Sequence, residues 1–424
     1  MSDVLEARSK AGITPVPQPE SGLTPDKLVE RARGLREVLR ARQDESDEQG
    51  WYGEEIHQLM KDAGLYRVVQ PKLFGGYEFE PRTLLRTVIE IARGHPSSGW
   101  CYCLGSSHAL IAGSHFDAAT QAELFGPEGD FRAPHRAPPA GKLTRVDGGY
   151  RISGVWNYSS GVPICTHWMG GVALPPEQEG GPPRNADIIV PRKDIQILDD
   201  WGGDRSLGMR GSGSNSVKLD DVFVPDNHIV RSVLLTLPDW SDGTPGTRLH
   251  GNPMFLGVPG GVYHATFTAI LTGTAYAAID EYERIIRTKS VMGLPHVLKI
   301  HDPTSQQAIG EAMAKAHAAE VIGLAAADEY MSLCRRWQET GEPITTTDTF
   351  RIWSLAQKGC YLACDAVEGL FRTASASSSH KGQRMERYFR DIQMYLVHPS
   401  SQPIVQSLYA QNYLGLAVGL PGLN

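Results

Sequence analysis

Three histidines, one aromatic and hydroxyl-rich run and one late serine-rich stretch have the residue types and spacing that chemistry needs. The run Trp156-Asn157-Tyr158-Ser159-Ser160-Gly161 puts aromatic faces and hydroxyls within six residues. A flat conjugated ring asks its wall and its hydrogen-bonding edge for those two things. On pattern alone the run reads more readily as an apolar strand ending in a hydroxyl-rich turn. His108 follows Ser106 and Ser107 on an apolar stripe, and His135 stands in Ala133-Pro134-His135-Arg136. An imidazole titrates near neutrality and can accept or share a hydroxyl proton. A histidine on an apolar stripe is also an ordinary core residue, and His135 also suits a surface loop. The stretch Thr373 to Ser379, with Ser375 and Ser377, is small and polar and precedes a helix. Small residues let backbone N–H groups approach an anion closely, although a plain interhelix loop has the same composition.

The elements that must position these residues follow from periodicity. Residues 1–22 carry Pro15, Pro17 and Pro19 without sustained periodicity and read as a flexible leader. Thr24 caps a helix with Pro25 in its first turn and Leu28, Val29, Ala32, Leu35, Val38 and Leu39 at helical spacing. Ile56, Leu59, Met60 and Ala63 mark a second helix stopped by Gly64. A third carries Leu84 to Ala92, and a fourth carries Trp100, Leu104, Ser107, His108 and Ile111 on one stripe. Between about 130 and 235 the chain turns rich in Gly, Pro, Val and Ile, with short alternating runs such as Tyr150, Ile152 and Gly154. Ala-rich helical stretches then follow around 262–290, 304–338, 346–374 and 384–397. The expected organisation is a leader over 1–22, an α-helical domain over 23–128, a β domain over 129–236 and a helical bundle over 237–424. The fold class is α+β.

The segment Gly208-Met209-Arg210-Gly211-Ser212-Gly213-Ser214, followed by Val217, Leu219, Val222, Val224 and Pro225, closely resembles the mid-domain signature of acyl-CoA dehydrogenases and their flavin-dependent relatives. Val146 to Gly161 looks like that family's flavin-binding strand pair, and Arg387-Tyr388-Phe389-Arg390-Asp391 looks like its late helix. The matches keep family order and span nearly the whole chain. The resemblance implies an N-terminal helical domain, a middle β domain and a C-terminal four-helix bundle, commonly assembled as a homotetramer. It places Trp156, Tyr158, Ser159 and Ser160 against the flavin ring, with a serine near N5, and Ser375 and Ser377 at the phosphate or nucleotide end. Gly211-Ser212-Gly213 with Ser216 nearly spells a dinucleotide motif, but a strand pattern follows it where that motif needs a helix.

A dehydrogenase of this family needs a carboxylate to remove an α-proton. Where the family usually has a Glu-Gly-Thr, this chain reads Leu396-Val397-His398-Pro399-Ser400-Ser401, and no acidic residue occurs between Asp242 and Asp280, where other relatives place the base. His398 instead resembles the late histidine of flavin-dependent oxygenases with this fold. The resemblance implies the oxygenase component of a two-component monooxygenase that uses reduced flavin, FMNH2 or FADH2, and O2 through a C4a-hydroperoxyflavin to hydroxylate a phenolic substrate. His398, His108 and Ser160 are then the catalytic candidates, and His108, His135 and His398 the residues at the substrate. A free phenol ionises near about 10, so a neutral imidazole at His398 is expected to take or share its proton. N- or S-oxygenation on the same scaffold, and a dehydrogenase with a displaced base, are the alternatives. With no nicotinamide motif visible, a separate NAD(P)H-dependent flavin reductase is the expected partner.

The remaining composition narrows the classes. A formal charge of −7 over 424 residues, with both signs interspersed, offers no basic stripe for nucleic acid. No apolar run reaches membrane-spanning length and no signal-like start is present, so the cytoplasm is expected. The six cysteines show no CxxC pair. Cys360 and Cys364 lie one helical turn apart without a second pair, so buried thiols and no metal are expected.

Overall fold

A computed structural model of the chain describes residues 12–178, 180–232 and 240–416. Of the expected leader, residues 1–11 lie outside the described residues. Its later part is held to the body: Val16 N–H donates to the Leu73 carbonyl at 2.9 Å and Gln18 donates to that of Gly76 at 2.7 Å.

The N-terminal helices are α1 (Pro25–Gly34), α2 (Arg36–Ala41), α3 (Gln43–Gln49), α4 (Gly53–Asp62), α5 (Pro81–Gly94), α6 (Pro96–Ser106), α7 (Ala109–His115) and α8 (Ala118–Phe125). Thr24 caps α1 by accepting from the Lys27 N–H, as expected. Two stripes read as continuous are interrupted. The Leu28-to-Leu39 stripe is divided at Leu35 into α1 and α2, and the Trp100-to-Ile111 stripe is divided at Ser107 and His108 into α6 and α7. The second interruption matters, because it seats the His108 ring beneath the end of α6.

The middle region forms two four-stranded sheets. One has the order β1 (His135–Arg136), β4 (His167–Leu174), β5 (Arg184–Pro191) and β8 (Ile229–Arg231). The other has the order β2 (Lys142–Val146), β3 (Gly149–Trp156), β7 (Val217–Pro225) and β6 (Gln196–Ile197). All pairings are antiparallel except β1 with β4, which sets His135 opposite Met169. The sheets share a core of Tyr150, Ile152, Trp156, Trp168, Ile188, Val190 and Leu219.

Helix α9 (Pro245–His250) leads into the long helices α10 (Pro259–Thr288), α11 (Pro303–Thr340) and α12 (Thr346–Ala374), then α13 (Arg384–Leu396) and α14 (Ile404–Tyr413). A hairpin of β9 (Ser290–Val291) and β10 (Leu294–Leu298) follows α10. Helices α10, α11 and α12 pack on one another, and α10 also packs on α5 and α6. At Gly273 a Cβ would lie 2.5 Å from the Ile89 carbonyl, so only glycine lets α10 approach α5 this closely. That contact continues the bundle core into the N-terminal helices and brings the side chains of α10 up to those of α6.

Candidate active site

The signature segment and the late helix interlock, and the interlock seats the site. Met209 N–H donates to the buried Asp391 carboxylate at 2.6 Å, while a Cβ on Gly208 would lie 2.3 Å from the Arg390 carbonyl. Arg387 bridges Asp47 and Asp44 on α3, and Asp47 faces His95 at 3.4 Å. Burial, and then the Asp47 charge, push Asp391 up to about 6. Burial alone would raise Asp47 as well, but His95 and Arg387 hold it below the usual carboxylate range. These motif residues join three regions of the fold.

From the same β segment, Ser160 accepts from the Trp100 indole N–H at 3.0 Å and shares a proton with Ser214 at 2.7 Å, and Ser214 pairs with Ser212 at 2.6 Å. The Trp100 ring on α6 packs against Phe267 of α10 at 5.1 Å and against His398 at 5.8 Å. Phe267 meets His398 at 4.9 Å and Tyr263 at 5.2 Å; Tyr263 meets His108 at 6.1 Å, and His108 meets His135 at 5.5 Å. One continuous chain of ring contacts therefore runs from Trp100, held by Ser160, to His135. It draws on α6, α10, β1 and the turn after α13.

Each histidine is fixed by a different partner. His398 follows the end of α13, where Pro399 stops the helix, and its Nδ1 accepts the Ser400 N–H at 3.2 Å. A backbone N–H only donates, so the neutral ring carries its proton on Nε2. Burial, and then the Arg136 charge, push His398 down to about 4. In its neutral form, then, His398 has Nε2–H as its remaining polar atom. His108 turns Nδ1 toward the Leu104 carbonyl at 2.8 Å, and burial, and then His135, push it down to about 3. His135 donates from Nε2 to the fully buried Asp187 at 3.1 Å. His108 Nε2 and His135 Nδ1 are closed off and without hydrogen-bond partners.

The other expected residues divide. Trp156 does not offer a free wall: it is 1% exposed, donates to the Gly171 carbonyl at 2.8 Å and packs edge-on against Trp168 at 5.1 Å. Ser159 is equally enclosed, accepting from the Trp168 indole at 2.9 Å. Both belong to the core between the sheets. Tyr158 is 54% exposed and lies 5.2 Å from Trp201. Ser375 and Ser377 gather around Lys289, which reaches them at 3.4 and 2.5 Å, while Lys299 donates to the carbonyls of Thr373 and Ala374. No contact joins this cluster to the aromatic lining within the described residues. Tyr263, Phe267 and Arg136 were not singled out from the sequence. Arg136 donates from Nε to the Asn157 carbonyl, is half-buried, and forms no ion pair among the described residues. The six cysteines are all buried and unpaired, and the described residues hold no group of three metal-ligating side chains and no helix long and apolar enough to cross a membrane.

Residues 265–403 match the model of the acyl-CoA dehydrogenase C-terminal domain. The chain is 27% identical over 381 residues, 88% of this chain and 94% of the relative, to the flavin-dependent monooxygenase oxygenase subunit HsaA of Rhodococcus jostii. It is 28% identical over 310 residues, 72% of this chain and 73% of the relative, to the oxygenase component of an FADH2-dependent resorcinol hydroxylase of a Rhizobium species. The crystal structure of 3-HSA hydroxylase from Rhodococcus sp. RHA1 superposes with a TM-score of 0.81 at 26% identity, covering 93% of this chain and 98% of that one. In fold, and in sequence along most of its length, the chain is similar to flavin-dependent monooxygenases built on the acyl-CoA dehydrogenase fold.

Proposed function

We propose that the chain is the oxygenase component of a two-component system that hydroxylates a phenolic substrate with reduced flavin and O2. The observation that carries this reading is the lining of Trp100, Tyr263, Phe267 and His398 beside Ser160. It is aromatic on its walls, and its polar points are hydroxyls and N–H donors. Among the described residues no carboxylate is hydrogen-bonded to Trp100, Tyr263, Phe267 or His398, and Asp187 is held by His135.

The residues fit a flavin at two places. The Ser160 hydroxyl is held between Trp100 and Ser214 and can face a ring nitrogen with a fixed orientation. Lys289 and Lys299 with Ser375 and Ser377 form a cationic, hydroxyl-bearing cluster without an ion-paired carboxylate among the described residues, the donor set that suits a phosphate or nucleotide end. When bound, reduced flavin supplies the activation of O2 and the transfer of one oxygen atom. The chain's own part is to set the packed rings of Trp100, Phe267 and Tyr263 as an apolar wall beside the substrate, to exclude water on that side, and to donate from His398 Nε2 to the substrate oxygen.

Two of the relatives named above are an oxygenase subunit and an oxygenase component. They support a separate NAD(P)H-dependent reductase that delivers FMNH2 or FADH2. Cytoplasmic location and homotetramer assembly belong to the same proposal. The exposed apolar side chains Met313 and Val321 on α11 and Leu355 on α12 support assembly, and sedimentation at a monomer's mass would remove that part. The function is tested by mixing anaerobic protein and reduced flavin rapidly with oxygenated buffer. A near-ultraviolet transient that outlasts free-flavin reoxidation, and whose decay responds to added phenols, is expected. Reoxidation at the free-flavin rate with every phenol would overturn the reading, and flavin reduction by acyl thioesters would replace it with a dehydrogenase.

A further inference from the structure

Ser160, Ser214 and Ser212 form a ladder of hydroxyls that begins at the Trp100 indole and ends inside the fold. Ser160 is half-buried, Ser214 is 4% exposed and Ser212 is sealed. The Ser160 and Ser214 oxygens lie 2.7 Å apart, those of Ser214 and Ser212 2.6 Å apart, and the Trp100 N–H donates to Ser160 Oγ at 3.0 Å. Among the described residues Ser212 Oγ has no partner besides Ser214. The backbone around the ladder is pinned. Gly213 N–H donates to the Gly50 carbonyl at 2.7 Å, and Gly161 N–H donates to those of Ser212 and Gly213 at 3.1 and 3.0 Å.

Counting donors and acceptors assigns the hydrogens. A hydroxyl donates once and accepts up to twice, and an indole N–H only donates. Run outward, Ser212 donates to Ser214 and Ser214 to Ser160, so every O–H but the last has an acceptor inside the protein. Ser160 Oγ then takes both the Ser214 O–H and the Trp100 N–H, and its own hydrogen is left to point out of the ladder. Run inward, Ser160 donates to Ser214 and Ser214 to Ser212, and the Ser212 hydrogen is stranded in a sealed place without an acceptor. A buried donor left unmade is the larger cost, so the outward direction wins.

We propose that Ser214 and Ser212 are positioning residues that make Ser160 a hydrogen-bond donor, so that the site takes an acceptor atom at that point. The proposal deepens the reading of the chain as a flavin-dependent oxygenase and rests on it. A flavin ring nitrogen facing Ser160 is an acceptor in the oxidised ring and carries a hydrogen in the reduced one. The ladder therefore favours the oxidised ring at this atom. Reduced flavin meets Ser160 as an acceptor only when the ladder reverses and strands Ser212, so its hold on the site comes from its other contacts.

The test is the midpoint potential of bound flavin, FMN or FAD, whichever the wild type holds, read by spectroelectrochemistry in the wild type, Ser214→Ala and Ser214→Thr. With the Ser214 hydroxyl gone, Ser160 keeps a free lone pair and can face either form of the ring. Ser214→Ala is expected to gain about tenfold in affinity for reduced over oxidised flavin, which raises the potential by about 30 mV for a two-electron couple. Ser214→Thr keeps a hydroxyl and is expected to stay at the wild-type potential. An unchanged or lowered potential in Ser214→Ala overturns the proposal. So does a Ser214→Thr shift as large as the alanine one, which makes the effect one of packing. A second measurement needs only the wild type: the 5-deaza analogue of the same flavin has C–H in place of the ring nitrogen, and the oxidised natural flavin is expected to bind at least about fivefold tighter. Equal binding of the two overturns the donor assignment. Failure of the wild type to bind either flavin in either redox state removes the functional reading itself.

Discussion

At the scale of the residue, the site turns on which atom of each ring is free. His398 stands where the sequence leads one to look for a proton acceptor, but the Ser400 N–H occupies its acceptor nitrogen. His398→Gln keeps a side-chain N–H, whereas His398→Leu does not. The glutamine variant should therefore hydroxylate at least about tenfold faster than the leucine one, since a lost hydrogen bond to a charged oxygen costs about 1.5–3 kcal/mol. Single-turnover product yields compare them, and equal impairment of the two would contradict the donor role. The run that carries Ser160 is a local pattern of hydroxyls beside aromatic residues, and so it stands out in the sequence. The core placement of Trp156 was also written in the sequence, since it continues the alternation of Tyr150, Ile152 and Gly154 whose inward face is buried. Arg136, Tyr263 and Phe267 left no such trace. Arg136 stands on β1 and the other two on α10, and no spacing along the chain records that His108 joins those two elements by packing on both His135 and Tyr263.

At the scale of the element, the most family-like motifs are those that join regions. Gly208→Ala would drive a methyl into the Arg390 carbonyl and should destabilise the protein by about 1–3 kcal/mol through overpacking. Denaturant melts measure this, and an unchanged midpoint would show that the interlock yields freely. Asp391, raised to about 6, holds a proton in the folded state that the unfolded chain gives up near about 3.9. The folded state therefore loses stability from this group as pH rises between those values. Asp391→Asn removes that loss, so its stability should climb more steeply than the wild type's over the same pH range. Parallel stability curves would contradict the assignment. Helix α12 was read from periodicity at its observed bounds, because a long stripe of apolar residues repeats there without a breaker. The division at Ser107 and His108 was not legible, because nothing in the composition of that stripe separates α6 from α7; at the interruption the His108 ring takes the Leu104 carbonyl that a continuing helix would give to a backbone N–H.

At the scale of the molecule, many buried histidines are kept neutral. His57, His115, His167 and His398 are each pushed down to about 4, and His108 to about 3, in every case first by burial. The unfolded chain binds these protons near about 6.5, so their contribution is intact above that pH and is lost as pH falls toward 4. The melting temperature should accordingly drop steeply from pH 6.5 to 4, outweighing the opposite and smaller trend from Asp391. A flat profile across that range would contradict the burial. The overall architecture was legible because helical and alternating periods succeed one another in long blocks, whereas the site is assembled where those blocks meet. The central claim, that this chain places an oxygen atom from O2 on a phenol, is tested most directly by single turnovers of the protein with reduced flavin and a phenol under ¹⁸O2, with the product mass measured. A hydroxylated phenol carrying one ¹⁸O is expected. Unaltered phenol with hydrogen peroxide as the only oxygen product would contradict it.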